Sequence, residues 1–217
     1  MPYPVELTLF IVIGVLLAGF FLFLFFYGPL KGFLYERYTI RMYYKAVHRI
    51  ALNQDFYLIN KWSRQIYDAE AQWIHVDHLL FGNKYIYVIK DRYYRGVISG
   101  KIEDPNWTNY IGKKKKKVPS NPMILNKIRT DRLSLLTGLN RKYFISIVLV
   151  NDDCLVTPFE NQQEDNLLVP MGKLEKLIEA IEARKDVAPL KKEQLAIAVR
   201  DFAELNQTES KYGRKKN

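Results

Sequence analysis

Cysteine and histidine are scarce in this chain, and its first 30 residues carry one charged side chain, Glu6. The 217 residues include a single cysteine, Cys154, and three histidines. One cysteine excludes an internal disulfide and a zinc site built from several cysteines. No base is arranged beside Cys154 in the sequence, so we interpret it as an unreactive thiol at the edge of the core.

Two further absences concern catalysis. The chain has no glycine-rich phosphate-binding loop and no serine, histidine and aspartate in the order of a hydrolytic triad. His75 and His78 lie close to Asp77, but residues three apart on a strand point to opposite faces, which disfavours a shared metal ion. We therefore predict no bound metal and no small-molecule cofactor.

Leu7–Tyr27 is an uncharged apolar run of 21 residues. A helix of this length spans about 30 Å, the thickness of the hydrocarbon core of a bilayer. A cleaved signal peptide would begin with basic residues and end in small ones, whereas this run follows Glu6 and ends in aromatic residues. We predict a retained transmembrane helix that contacts membrane lipid.

Basic residues follow the apolar run and predict its orientation. Positive charge beside a transmembrane helix favours the cytoplasmic side. The sequence therefore predicts a single-pass protein of the cell membrane, with its amino terminus outside and the rest of the chain in the cytoplasm. The residues are Lys31, Arg37, Arg41, Lys45 and Arg49.

The chain as a whole is basic, with a formal net charge of +10. Such a surplus is typical of proteins that bind nucleic acid, anionic lipid or an acidic protein partner. It is about as common in cytoplasmic proteins that bind no polyanion, so charge alone does not choose between these interpretations.

The pattern of Gln72–Lys101 predicts three short strands joined by tight turns. Gly82-Asn83 is a two-residue hairpin signal, and Gly96 restarts the chain into the third strand. Asp77 falls on the first strand, and Lys90 and Arg92 share a face of the second. A carboxylate beside a charged pair on the neighbouring strand is the layout of a metal-dependent nuclease site, except that here both members of the pair are cations.

The remaining patterns predict an α/β fold, a mixed β-sheet with flanking helices. Asn121-Pro122 begins a helix that ends before Gly138, and Tyr143–Val150 reads as a strand covered on both faces. We divide the chain into a transmembrane anchor (1–30), a basic juxtamembrane helix (31–54), the α/β domain (55–185) and a carboxy-terminal helix with a basic tail (186–217). The other predicted elements are a helix at Gly32–Leu52, strands at Asp55–Trp62 and Leu167–Val169, and helices around Leu174–Ile181 and Leu195–Phe202.

Five consecutive lysines occupy Lys113–Lys117. Their mutual repulsion predicts a solvated, mobile loop over Glu103–Ser120. The same lysines are candidates for binding nucleic acid or anionic lipid, together with two arginines of the central stretch. These candidate residues are Arg92, Arg95, Lys113, Lys114, Lys115, Lys116 and Lys117.

The order of several motifs resembles the nuclease-related domain (NERD) family, a branch of the PD-(D/E)xK nuclease-like fold. The motifs include Asp77-His78, the hairpin at Gly82, Gly96 and the helix start Asn121-Pro122 with Asn126. The resemblance covers roughly Ile40–Cys154. It implies a restriction-endonuclease-like core.

The resemblance also implies a site in which two carboxylates hold Mg²⁺ and a lysine orients the nucleophile. This sequence retains Asp77. Lys90 stands where the second carboxylate is expected, Arg92 where the lysine is expected, and Leu125 where a glutamine is expected. The family site also includes an acidic residue on the first helix, whereas Arg41–Ile50 contains none.

Three hypotheses follow from these departures. The first is a domain that keeps the fold, has lost the metal site and serves as a binding or scaffold module, with Asp77 and Lys90 forming a salt bridge. The second is an active Mg²⁺-dependent nuclease that uses Asp77 with Asp91, although strand alternation points Asp91 to the opposite face. The third is a non-catalytic nucleic-acid binder.

Overall fold

The structure is a computed structural model that describes residues 5–66, 72–156, 164–185 and 187–207. The chain divides into two compact units, Met1–Arg41 and Met42–Asn217. The basic tail predicted from Asn206 onward lies almost wholly outside the described residues.

Helix α1 spans Val5–Asn53 and therefore contributes residues to both units. Within it, Leu9–Gly28 has a mean hydropathy of 3.0 and no buried residue, and it is long and apolar enough to cross a membrane. The helix predicted at Gly32–Leu52 is the later part of the same α1.

The second unit is an α/β domain, which confirms the predicted fold class. Its elements after α1 are β1 (Tyr57–Ile66), β2 (Gln72–Phe81), β3 (Ile86–Arg92), β4 (Val97–Ser99), β5 (Trp107–Ile111), β6 (Lys114–Val118), α2 (Pro122–Thr137), β7 (Phe144–Val150), β8 (Leu155–Val156), β9 (Asn166–Pro170), α3 (Leu174–Glu182) and α4 (Lys192–Leu205).

The main sheet has the strand order β1-β2-β3-β7-β9 and is mixed. β1, β2 and β3 pair antiparallel, whereas β7 pairs parallel with both β3 and β9. Every residue of β7 is buried, as the apolar run of this strand predicted. One face of the sheet packs against the end of α1 and against α3, and the other packs against α2 and α4.

A second sheet, in the order β6-β5-β4-β8, corrects two predictions. β4 pairs with β5 and β8 rather than with β3, so Gln72–Lys101 is not a three-stranded meander. Glu103–Ser120 is not a mobile loop, because it contains the β5–β6 hairpin. The aromatic and β-branched residues of β5 favour a strand, and Trp107 is 1% exposed.

The lysine run fits a strand because β6 lies at the edge of its sheet. Lys114 to Lys117 are all exposed, so water solvates the ammonium groups on both sides of the strand. Lysines on an edge strand also discourage pairing with another chain, which is a structural reason for their presence.

Helix α2 is held firmly at its ends and at its middle. The Asn121 side chain accepts hydrogen bonds from the next turn, Pro122 starts the helix, and Gly138 ends it in the left-handed conformation, as predicted. Asn126 donates through Nδ2 to the carbonyl oxygen of Val88 at 2.9 Å and to that of Ile147 at 3.2 Å. These bonds fix α2 over β3 and β7.

Gly96 gives a test of the junction between the two sheets. Its φ is +98°, and a Cβ there would lie 2.1 Å from the carbonyl oxygen of Tyr110. Gly96→Ala should lower the free energy of unfolding by about 3 kcal/mol or more, since it combines backbone strain with a clash against backbone. Urea denaturation followed by tryptophan fluorescence measures this loss.

Gly112→Ala is the matched control for Gly96→Ala. Gly112 also has a positive φ, +58°, but a Cβ there would meet nothing within 4 Å. It should cost only about 1 kcal/mol, the ordinary price of a left-handed residue. Equal losses for the two variants would contradict the proposed contact with Tyr110.

Candidate functional site

The site predicted from the sequence lies where the β2–β3 ladder ends. Lys90 Nζ lies 2.9 Å from Asp77 Oδ1 and 2.8 Å from Oδ2, so the predicted salt bridge is confirmed. The backbone N–H of Asp91 donates to the same Oδ2 at 2.9 Å. The side chain of Lys90 is 13% exposed and that of Asp77 is 32% exposed. Both oxygens of the carboxylate are therefore held by donors of β3.

The strand around Asp77 departs from a regular pleat. The pairing of β2 with β3 stops at His78 and Ile89, one residue before Asp77 would pair. Val76 and Leu79 pack in the same core cluster, although an unbroken pleat would place them on opposite faces. On the neighbouring strand β1, Lys61 adopts a left-handed φ of +54°. Irregularity of this kind often redirects a side chain at a site.

Asp91 faces the other side of the sheet, as strand alternation predicted. Its Oδ2 accepts from His78 Nε2 at 2.9 Å, and His78 Nδ1 lies 2.5 Å from Asn60 Oδ1. Burial raises the pKa of the Asp91 carboxyl, and the His78 imidazole counteracts this rise. The contact between His78 and Asp91 was not predicted from the sequence. The signal was available, because His78 follows Asp77 and so points away from it.

Arg129 of α2 lies on the same side of the sheet as Asp77. Its charge interacts with those of Arg92, Asp77 and Arg132, and burial lowers the pKa of its guanidinium. Its Nη1 is buried and has no hydrogen-bond partner among the described residues. Arg129 was not predicted from the sequence either. It lies four residues after Leu125, so the helical repeat puts both on one side of α2.

The structure separates the other predicted basic residues from this group. Arg95 is exposed in the connection between β3 and β4, and Lys113–Lys117 belong to the β5–β6 hairpin of the second sheet. Cys154 is buried, and burial raises the pKa of its thiol to about 11, which suits the inert role predicted for it.

The chemistry of the site is that of a cationic surface around one paired carboxylate. Among the residues that the structure describes, no group of three or more His, Cys, Asp or Glu side chains is arranged to hold a metal ion. Lys90, Arg92 and Arg129 are donors and point to anions as the natural ligands of this face.

The comparison with protein families agrees with this geometry. The family model described as "Nuclease-related domain" (NERD) matches residues 33–151. The chain belongs to the NERD family. The match begins within α1 and ends directly after β7, so the NERD region contains Asp77, Lys90, Arg92 and Arg129. No curated protein and no solved structure matches the chain.

The pairing of Asp77 with Lys90 in this NERD domain can be tested by stability. Asp77→Ala should lower the free energy of unfolding by about 1–3 kcal/mol, because it leaves the mostly buried Lys90 ammonium unpaired. Lys90→Met should cost less, since a thioether side chain needs no partner. Chemical denaturation of both single variants and of the double variant measures the coupling.

Arg200→Gln is a matched control for the ion-pair variants. Arg200 lies on α4, is 67% exposed, and approaches Asp201 and Glu204 only to 3.8 Å. Its loss should change stability by less than about 0.5 kcal/mol. Additive effects of Asp77→Ala and Lys90→Met would show that the two side chains do not depend on each other.

Proposed function

We propose that the protein is a membrane-anchored binding or scaffold module whose NERD domain has lost the metal site of a nuclease. The observation that supports this proposal is the ammonium of Lys90 on both oxygens of Asp77. In a nuclease of this fold, the Asp77 carboxylate would hold Mg²⁺ together with a second carboxylate. Here the residue at the second position is Lys90, and its ammonium pairs with the Asp77 carboxylate.

The charge at position 90 matters most for metal binding. Two unit charges about 4 Å apart interact by about 4 kcal/mol at an effective dielectric constant of about 20, and a divalent ion doubles this. A carboxylate at position 90 would attract Mg²⁺ by that amount, whereas the Lys90 ammonium repels it. Arg92 cannot replace a lysine that loses its proton during catalysis, because a guanidinium stays protonated.

The alternative of an active nuclease needs Asp77 and Asp91 to share a metal ion. Asp77 interacts with Lys90 and with Arg129 on the α2 side, whereas Asp91 interacts with His78 and with Tyr43 on the α1 side. These different partners favour a binding role over a relocated catalytic site.

A nuclease assay tests the loss of the metal site. The full-length protein in detergent, incubated with single- and double-stranded DNA and RNA, should show no cleavage that depends on Mg²⁺ or Mn²⁺. The triple variant Lys90→Glu, Arg92→Lys, Leu125→Gln restores the family's residue types at these three positions and should bind Mn²⁺ more tightly than the wild type in calorimetry. Metal-dependent cleavage by the wild type that Asp77→Ala abolishes would refute the proposal.

A second candidate function is binding of nucleic acid without cleavage, and the lysine strand favours it. β6 presents the side chains of Lys114–Lys117 to solvent, two on each face of the strand. A row of ammonium groups can follow a phosphate backbone, whose affinity for cations is electrostatic and falls steeply with salt. Protection of the sheet edge explains the same lysines without any ligand.

The salt dependence of binding separates these two explanations. If β6 binds nucleic acid, the logarithm of the association constant for a single-stranded oligonucleotide should fall linearly with log salt. Lys114→Gln with Lys116→Gln should then reduce the slope by about 1.4, or about 0.7 per lost phosphate contact. The control pair Lys173→Gln with Lys176→Gln, also exposed, should leave the slope unchanged. A flat response of the wild type would exclude the phosphate contact.

We also propose that α1 anchors the chain in the cell membrane with the NERD domain in the cytoplasm. The apolar segment Leu9–Gly28 and the basic residues that follow it support this orientation. A reporter fused after Asn217 should therefore be active only as a cytoplasmic reporter. Replacing Lys31, Arg37 and Arg41 by Gln should lower the fraction with this orientation. Activity of an extracytoplasmic reporter at the same fusion point would overturn the orientation.

A further inference from the structure

The α2 side of the β2–β3 end carries more positive charge than its own carboxylate can neutralise. Three positive charges come from Lys90, Arg92 and Arg129, and one negative charge comes from Asp77. Both oxygens of the Asp77 carboxylate already accept hydrogen bonds from donors of β3. No other described carboxylate forms an ion pair with Arg92 or Arg129. These four side chains together therefore carry a surplus of two positive charges.

Arg129 is the member of this group that most needs a ligand. The Nη1 atom is buried and donates to nothing in the described part of the chain. A buried donor without a partner costs roughly 1–3 kcal/mol, and more when it is charged.

We propose that Arg92 and Arg129, together with Lys90, form a binding site for a phosphomonoester group. A guanidinium presents paired N–H groups whose spacing matches two oxygens of a phosphate, and two guanidiniums from different elements suit a tetrahedral anion between them. A phosphomonoester carries about two negative charges at pH 7, which equals the surplus of the site. A phosphodiester of a nucleic-acid backbone carries only one.

The proposal rests on the binding role proposed above for the NERD domain, and it adds the class of ligand. It also concerns different residues from the lysine strand, because the β6 lysines lie in the second sheet. The phosphomonoester is carried either by a soluble molecule or by a lipid headgroup, and these two sources share the same chemistry at the site.

Titration with inorganic phosphate tests the site directly. The full-length protein in nanodiscs of phosphatidylcholine should be stabilised against heat by phosphate at constant ionic strength, because a ligand that binds the folded state raises the unfolding midpoint. The midpoint as a function of phosphate concentration gives an apparent Kd. Chloride at the same ionic strength should produce no comparable shift.

Variants of the two arginines should remove this response. Arg129→Gln and Arg92→Gln should each weaken the apparent affinity for phosphate about tenfold or more, since each removes a charged donor pair. Arg129→Lys keeps the charge but loses the fork and should also weaken binding. The control Arg200→Gln removes an exposed arginine from α4 and should stay within twofold of the wild type.

Arg129→Met separates a ligand-binding residue from a structural one. Removing an unpaired buried guanidinium should leave the midpoint without phosphate unchanged or raise it, while abolishing the response to phosphate. A folded Arg129→Met variant that still responds to phosphate would refute the proposal. Arg92→Gln gives the same reading of affinity if Arg129→Met does not fold.

Lipid composition identifies the source of the phosphate group. Phosphatidic acid has a monoester headgroup, whereas phosphatidylglycerol has a diester of lower charge. If the source is lipid, nanodiscs with phosphatidic acid should raise the midpoint and suppress the further effect of inorganic phosphate, and phosphatidylglycerol should do neither. A response to inorganic phosphate that phosphatidic acid leaves unaffected identifies a soluble phosphate compound. Both results support the site if Arg129→Gln removes them.

Two results would overturn the inference. One is that neither phosphate nor phosphatidic acid shifts the unfolding midpoint, or that Arg129→Gln leaves the shift unchanged. The other is binding to an oligonucleotide that inorganic phosphate does not compete with, because it would indicate a surface for the nucleic-acid backbone instead. If the nuclease assay is negative, either result leaves the proposed binding role intact. Cleavage that requires Asp77 would refute the binding role, whereas the phosphate titration would still report on the phosphate site.

Discussion

The end of the β2–β3 ladder determines what this domain presents on each face of its main sheet. The pleat of β3 sends Lys90 and Arg92 towards α2 and sends Asp91 between them towards α1. Asp77 lies on the same face of the sheet as its partner Lys90, and His78 lies on the same face as its partner Asp91. The carboxylates of Asp77 and Asp91 belong to neighbouring strands but therefore lie on opposite faces of the sheet. Each has a basic partner on its own face. A metal ion bound by both carboxylates would require the two side chains to lie on the same face.

The two acid–base pairs differ in how they are stabilised. Asp77 is partly exposed and accepts from the Lys90 ammonium and a backbone N–H, so its charge is compensated at modest desolvation cost. Asp91 is more deeply buried, and one of its oxygens has no partner among the described residues, which is why burial raises its pKa despite the contact with His78. On the α2 side, no described carboxylate forms an ion pair with Arg92 or Arg129, and only the Asp77 charge, already paired with Lys90, acts on Arg129. That imbalance is the physical basis for an anion as ligand.

The sequence predicted most of the α/β elements because their signals are local. The cap residues of α2, the apolar run of β7 and the hairpin between β2 and β3 each follow from a few neighbouring residues, although the turn is centred on Asn83-Lys84 and not on the predicted Gly82-Asn83. The lysine run misled the prediction because repulsion between like charges was weighed without the solvent that an edge strand provides on both sides. The third strand of the central stretch was predicted correctly as a strand, but its partner, β5, lies beyond the stretch and no local pattern identifies it.

By itself, the sequence determined the class of fold, the family and the apolar amino-terminal helix, since each depends on residue type and spacing. The tertiary structure decided that His78 and Asp91 are in contact and that the charges of Arg129 and Arg92 interact. The first depends on how β2 pairs with its neighbour β3, and the second on how α2, which comes much later in the chain, docks on β3. The physical reason is that alternation fixes which way a side chain points, whereas only packing between elements decides what it meets.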